Sequence, residues 1–415
     1  MSTGGKRTNK ILVALSLIGP GLFLMGYNIG TGSITTMAKA GAEFGMSLFW
    51  ALLLSCIFTY VLMVAYGQVT LVTGKTSLYN IKIHIPYGKI IAIYIIIALV
   101  IGELLALMGI MGIAVELLQE AFRILGVTVE VSKVAITLVI DVILLVLLWF
   151  GNYQVFEKIL TVLVVIMAIC FVGVFFMLKP DMKEILVGLS PRIPKQEGSL
   201  GLIAAMAGTT CSAALFVARS IVVSEKGWGI ADLKHEKRDA FISSAMMLFL
   251  SGIIMAVAAG TLHLMGLRLN STIELVKLFE PLGSRVASLI LILGIMGAAL
   301  STVFPIVLIA PWLICDYTQK PKDMKSNIFR IPALVSLMIG SSFLFIDRNP
   351  PLIMIFSQAF QALILPAVAL PILILINKKS LMGDHLATPS MNFGIVCVLL
   401  FGLMTSYFAI AELVP

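Results

Sequence analysis

Apolar residues run along this chain in stretches long enough, as helices, to cross about 30 Å of hydrocarbon. They fall near residues 11–38, 46–72, 88–116, 132–150, 158–178, 199–222, 240–266, 286–313, 329–346, 351–376 and 392–413, which predicts eleven spans. The connections are short and carry turn residues such as Gly74, Gly151-Asn152, Asn270 and Pro350-Pro351. The expectation is an all-α polytopic membrane protein forming one transmembrane unit over residues 1–415.

Two spans are interrupted. Gly30-Thr31-Gly32-Ser33 breaks the first, and Gly208-Thr209-Thr210-Cys211-Ser212 breaks the sixth. A membrane helix normally pairs its backbone internally, because hydrocarbon offers no partner in place of water. Paired interruptions at corresponding places in two halves mark the binding site of a secondary transporter. Each break has a Gly-Thr pair with a serine shortly after it, and neither has a carboxylate.

Composition fits the spans. The chain is 60% hydrophobic and 12% charged, with mean hydropathy +1.07, whereas charged residues make up nearer a quarter of a soluble domain. No cleavable signal peptide is expected, since the apolar run after Lys10 lacks a small-residue cleavage pattern. Cys56, Cys170, Cys211, Cys315 and Cys397 lie in or beside apolar runs, which argues against a disulfide framework. The net charge of +8 calls for no nucleic-acid partner. With the N-terminus inside, cytoplasmic segments hold 17 Lys and Arg against 10 outside. Basic loops stay on the cytoplasmic side, so the N-terminus is expected inside and the C-terminus outside. The expected location is a bacterial inner (cell) membrane.

Spans 1 and 6 then lie five apart and run in opposite directions, as an inverted repeat demands. Five plus five spans and one extra give a LeuT-type plan: repeat one over about 11–178, repeat two over about 199–376, and an extra span at 392–413.

Local motifs go further. Gly19-Pro20-Gly21 opens span 1, Ala40-Gly41-Ala42-Glu43-Phe44-Gly45 closes it, and Trp50-Ala51-Leu52-Leu53-Leu54-Ser55 begins span 2. Phe150-Gly151-Asn152-Tyr153-Gln154-Val155-Phe156-Glu157-Lys158 precedes span 5. Ser357-Gln358, Leu365-Pro366, Leu370-Pro371 and Lys378-Lys379-Ser380-Leu381-Met382-Gly383 follow span 10 to its exit. Together these resemble the natural resistance-associated macrophage protein (NRAMP) family of metal-ion transporters, over nearly the whole chain. The resemblance implies a metal site at the two breaks. The family's Asp-Pro-Gly-Asn, however, falls on Gly30, Thr31, Gly32 and Ser33, and its Met-Pro-His on Ser212, Ala213 and Ala214. The usual carboxylate, amide, thioether and imidazole are absent from those positions.

Neutral hydroxyls at Thr31, Ser33, Thr209 and Ser212 suit Na⁺ or the waters of hydrated Mg²⁺ better than a bare transition metal. Cys211 is the only soft atom at the breaks, and a buried free cysteine is usually packing. Half-helix N-termini favour an anion instead, and Ile29-Gly30-Thr31-Gly32 is similar to the carboxylate-cradling break of amino-acid permeases with the LeuT-type plan. Arg219 stands where the family keeps a histidine. It either adds positive charge to the site or snorkels to cytoplasmic water near Ser220.

Glu103 in span 3 matches the family's proton-pathway glutamate, and Asp141 in span 4 matches a family aspartate. Carboxyls at such depth are costly and functional by default, so both are candidates for coupling to H⁺ or Na⁺; Asp141 reads equally as a packing or capping group. Gln358 in span 10 either lines the central cavity or bonds between helices. No HExxH, GxSxG, Walker or CxxC pattern occurs, which points away from an enzyme, and no resident cofactor is implied. The favoured expectation is alternating-access transport of a small organic anion or amino acid. The alternatives are a divalent cation, such as hydrated Mg²⁺ or Mn²⁺, and a non-transporting sensor of the same fold.

Overall fold

The computed structural model describes residues 30–127, 131–150, 153–180, 182–278, 285–321, 323 and 325–413, and the chain before Gly30, including the first half of span 1, lies outside them. The described residues are helical, with no strand among them. In chain order the helices are α1 (Thr31–Phe44), α2 (Phe49–Thr73), α3 (Ser77–His84), α4 (Gly88–Ile124), α5 (Lys133–Phe150) and α6 (Tyr153–Leu178). Next come α7 (Met182–Val187), α8 (Ser199–Thr210), α9 (Ala213–Glu225), α10 (Leu233–Ala258), α11 (Thr272–Val276) and α12 (Arg285–Thr318). The last are α13 (Asn327–Ser341), α14 (Pro350–Ala362), α15 (Leu365–Ile376), α16 (Lys379–Met382) and α17 (Pro389–Leu413).

Eight helical stretches among the described residues are long and apolar enough to cross a membrane. One of them is Ser199–Glu225, which joins α8 and α9 through the predicted break; another is Pro350–Ile376, which joins α14 and α15. The ends follow local chemistry. Gly74, at φ 64°, takes the left-handed turn that closes α2 and returns its N–H to Thr70 O, a conformation that favours glycine. The two prolines inside α12, Pro305 and Pro311, each remove one backbone donor, which neighbouring helices tolerate in a membrane.

Packing is close wherever glycine allows it. A Cβ at Gly41 would overlap the Met255 carbonyl of α10, and one at Gly208 would overlap the Gln358 carbonyl of α14. Gly109 and Gly112 of α4 lie against Met354 and Pro350 of α14. Small residues at such crossings let backbones meet where lipid supplies no hydrophobic drive. The result is a central group of α1, α4, α8, α12 and α14, with α9 packed on α2 and α3 beside it.

Connectors on one face are tied together. Thr76 Oγ1 donates to Asp316 Oδ2 (2.8 Å), Lys82 Nζ to Tyr317 O (2.7 Å), and Lys378 Nζ to His84 O (2.7 Å). The turns after α2, α12 and α15 therefore share one rim of the molecule, as alternating spans require.

Arg219 corrects an expectation. It neither enters the break nor reaches water. Its side chain is fully buried, with Nε 3.0 Å from Glu236 Oε1, Nη2 2.8 Å from Glu236 Oε2 and Nη1 2.6 Å from Asp239 Oδ2. Gly67 of α2 makes room, since a Cβ there would strike the Glu236 carboxylate. Two carboxylates of α10, three residues apart on one helix face, thus pin α9 from the far side. The guanidinium charge is spent on them. Arg219→Met should cost about 3–5 kcal/mol, because it strands a buried carboxylate, whereas an apolar replacement of all three residues should be near neutral. Thermal unfolding in detergent reads both, and an equal fall in the two variants would count against this account.

Candidate functional site

The span 6 break is a real interruption of helix, and at the span 1 break a helix begins. Gly30 caps α1 in an extended conformation (φ −92°, ψ −167°), so the described part of span 1 starts at the predicted glycine. In span 6, Cys211 (φ −103°, ψ 49°) and Ser212 (φ −67°, ψ 130°) leave the helical region, while Gly208, Thr209 and Thr210 stay in α8. The N-termini of α1 and α9 and the C-terminus of α8 therefore converge on one cavity. Two partial positive charges and one partial negative charge meet there.

Between them lies a cavity of about 30 Å³. A water needs roughly 10–15 Å³ by this measure, so the space holds one or two waters or one bare ion. Its wall takes Gly30, Gly32 and Ser33 from α1, Thr209 and Ser212 from the span 6 break, and Glu103, Ala106 and Ile110 from α4. Thr302 and Ile306 of α12 and Met354, Gln358 and Gln361 of α14 complete it. Glycine is required at two of these places. A Cβ at Gly30 would overlap Thr302 Oγ1, and one at Gly32 would come within 2.7 Å of Gln358 Nε2.

A polar relay ties the break to the carboxylate. Ser212 Oγ donates to Gln361 Oε1 (2.8 Å), and Gln361 Nε2 donates to Glu103 Oε1 (3.0 Å). The carboxylate at the far end fixes the orientation of the amide, since only the NH₂ end can donate to it. Glu103 is buried. On the same helix as Gln361, Gln358 Nε2 lies 3.4 Å from Met354 Sδ, and from α1 Ser33 Oγ pairs with Ser251 Oγ of α10 at 3.2 Å.

The sequence candidates divide. Gly30, Gly32, Ser33, Thr209, Ser212, Gln358 and Glu103 line the cavity. Thr31 is buried beside it but does not line it, and its Oγ1 has no hydrogen-bond partner among the described residues. Cys211 is fully buried and does not line the cavity. Asp141 lies off the cavity altogether, between α5 and α13, where Ser341 Oγ donates to its Oδ2 at 2.6 Å. Arg219 is held by Glu236 and Asp239.

The residues that sequence reasoning missed are Thr302, Met354 and Gln361. A signal existed for two of them. Met354, Gln358 and Gln361 are spaced four and three apart, which places all three on one face of a helix. The single sulfur assigned to the breaks was Cys211; the thioether that faces the cavity comes from span 10. No cluster of three or more His, Cys, Asp or Glu able to hold a metal occurs among the described residues.

Comparison with known proteins gives the lineage. The family model for natural resistance-associated macrophage protein-like sequences matches residues 21–412. The chain belongs to the Nramp family. A divalent metal cation transporter, MntH, from Nostoc sp. is 25% identical over 259 residues, which cover 59% of this chain and 58% of that protein. An MntH from Erwinia tasmaniensis is 22% identical over 407 residues, covering 96% of this chain and 95% of its own. The crystal structure of the Eremococcus coleocola manganese transporter, in complex with an aromatic bis-isothiourea compound, superposes with a TM-score of 0.72. It is 17% identical, and the match covers 98% of this chain and 89% of that one.

This Nramp member is thus an integral, multi-pass membrane protein of a transporter family. Its cavity lies where the two broken spans meet. Carboxylate and thioether reach it from spans 3 and 10 rather than from the breaks.

Gln361→Leu leaves the Ser212 hydroxyl and one Glu103 oxygen without the amide, and should lower stability by about 1–3 kcal/mol. A double-mutant cycle of Gln361→Leu with Ser212→Ala should return a coupling of about 0.5 kcal/mol or more. Strict additivity in thermal unfolding would mean that the relay carries no energy.

Proposed function

We propose that this Nramp-family protein moves a divalent metal cation by alternating access, binding it largely dehydrated between the broken spans with Glu103 as the anionic ligand. The observation that carries this reading is the cavity. It holds about 30 Å³ and is lined by a carboxylate, a thioether, two amides and several hydroxyls, with no cationic side chain among the described residues. Pockets for organic molecules run to about 300 Å³ and more. Even a small amino acid or organic acid has about five or more heavy atoms, more than a space for one or two waters admits, and would bring its own carboxylate against Glu103.

The charge balance points the same way. Arg219, the cation that favoured an anionic substrate, already faces two carboxylates on α10. Stripping water from a divalent ion inside a membrane needs compensating negative charge, and Glu103 is the one carboxylate on the cavity wall among the described residues. Met354 Sδ adds a soft donor that favours Mn²⁺ or Fe²⁺ over Mg²⁺, a hard ion that keeps its waters. Release of the cation would leave Glu103 bare in a low-dielectric site. A proton taken up there restores neutrality, which makes H⁺ the natural coupling ion. The relatives named divalent metal cation and manganese transporters support the same substrate class.

Uptake into proteoliposomes tests this. Mn²⁺ should enter in the wild type, Glu103→Gln should abolish entry, and Met354→Leu, a swap of similar volume, should narrow the preference for Mn²⁺ over Mg²⁺. Full Mn²⁺ uptake by Glu103→Gln would overturn the role of the carboxylate. Uptake of small carboxylates without any metal would overturn the substrate class.

A further inference from the structure

The corner between α3 and α4 holds a residue that transport does not explain. Tyr87 sits there at φ 58°, ψ 18°, in the left-handed region, and is 82% exposed. A side chain with a Cβ is unfavourable in that conformation, and glycine or asparagine would fill it more easily. The corner is tight, because a Cβ at the adjoining Gly88 would overlap the Ile81 carbonyl. The backbone is therefore fixed, and the tyrosine ring is held out from the protein with little packed on it. Strain kept at an exposed aromatic residue points to a use outside the chain.

Two further features converge on the same corner. Below Tyr87, exposed Ile90, Tyr94, Ile97 and Ile101 form a stripe at helical spacing along α4, an apolar face turned to lipid. Around it the charge is positive. Lys89 follows Tyr87 by two residues and is exposed; Lys378 reaches His84 O at 2.7 Å, bringing exposed Lys379 to the same rim. Burial and then the Lys378 charge hold the His84 imidazole below its usual range, so this rim disfavours a further proton. Across the connectors 74–88 and 377–388, Lys75, Lys82, Lys378 and Lys379 face one carboxylate, exposed Asp384.

We propose that this corner binds the headgroup of an anionic phospholipid, with Lys89 and Lys379 on the phosphate, Tyr87 at the boundary between headgroup and chain, and an acyl chain along the α4 stripe. Interfacial tyrosines sit at that depth, and juxtamembrane lysines draw anionic lipid to the leaflet they face. By the charge distribution of the connectors, that leaflet is the cytoplasmic one.

Native mass spectrometry of the full chain in detergent, with phosphatidylglycerol or phosphatidylcholine added, reads the preference directly. The wild type should retain phosphatidylglycerol over phosphatidylcholine. Neutralising two lysines in K89Q/K379Q should weaken phosphatidylglycerol by roughly thirtyfold, and Y87G should weaken both lipids. The pair K195Q/K277Q, with the same charge change on the opposite rim, should match the wild type. Equal retention of the two lipids by the wild type would overturn the proposal. So would an unchanged preference in K89Q/K379Q, or the same loss in K195Q/K277Q. Displacement of the lipid by millimolar inorganic phosphate would show a site for a free anion rather than for a lipid.

Discussion

A helix broken inside a membrane has to find partners for its polar groups within the protein, because lipid offers none. In this chain that constraint is met around Ser212, where the span 6 backbone opens. The serine hydroxyl goes to Gln361, whose amide goes on to Glu103. Thr59 of α2 donates its hydroxyl to the Thr210 carbonyl at 2.9 Å, just before the break. Spans 2, 3 and 10 are thus held in place by what the break leaves open. The glycines follow from the same need, since Gly208 must let the Gln358 backbone approach for Gln361 to arrive.

The site that results is small, buried and asymmetric. Its negative charge stands on α4 and its sulfur on α14, while the broken spans contribute glycine, hydroxyls and helix ends. The division is consistent with electrostatics. Two helix N-termini already place partial positive charge in the cavity, and a carboxylate opposite them makes the site able to accept either a cation or a proton. The Arg219, Glu236 and Asp239 cluster keeps the full positive charge on the far side of α9, away from the cavity wall. A buried cluster of this kind is weak evidence for stability by itself, because apolar packing often does as well. It fixes how α9 sits against α10.

The length of α4, 37 residues, has a consequence beyond the cavity. At about 1.5 Å per residue it exceeds a hydrocarbon core of about 30 Å. Glu103 sits near its middle. One end reaches the rim at Tyr87 and Lys89; the other carries Glu116, whose carboxylate meets Lys133 at 2.6 Å. One helix therefore connects the buried carboxylate to both membrane surfaces.

Much was legible from the sequence because it depended on local rules. Apolar runs announced the spans, since a single segment crosses lipid with its backbone paired within itself only as a helix, and α1 began at Gly30 and span 6 broke at the Cys211-Ser212 step where the glycine and hydroxyl clusters said they would. Seven of the candidates, Gly30, Gly32, Ser33, Thr209, Ser212, Gln358 and Glu103, face one cavity. Which groups filled that cavity was decided only in three dimensions. Met354, Gln361 and Thr302 lie far along the chain from both breaks, and only the packing of α4, α12 and α14 brings them in. Arg219 was read by its distance from the break along its own helix, yet its direction was set by Glu236 and Asp239 on another. Periodicity fixes which residues can share a face. Which face meets which depends on contacts between residues distant in sequence, and here those contacts gave the site its charge.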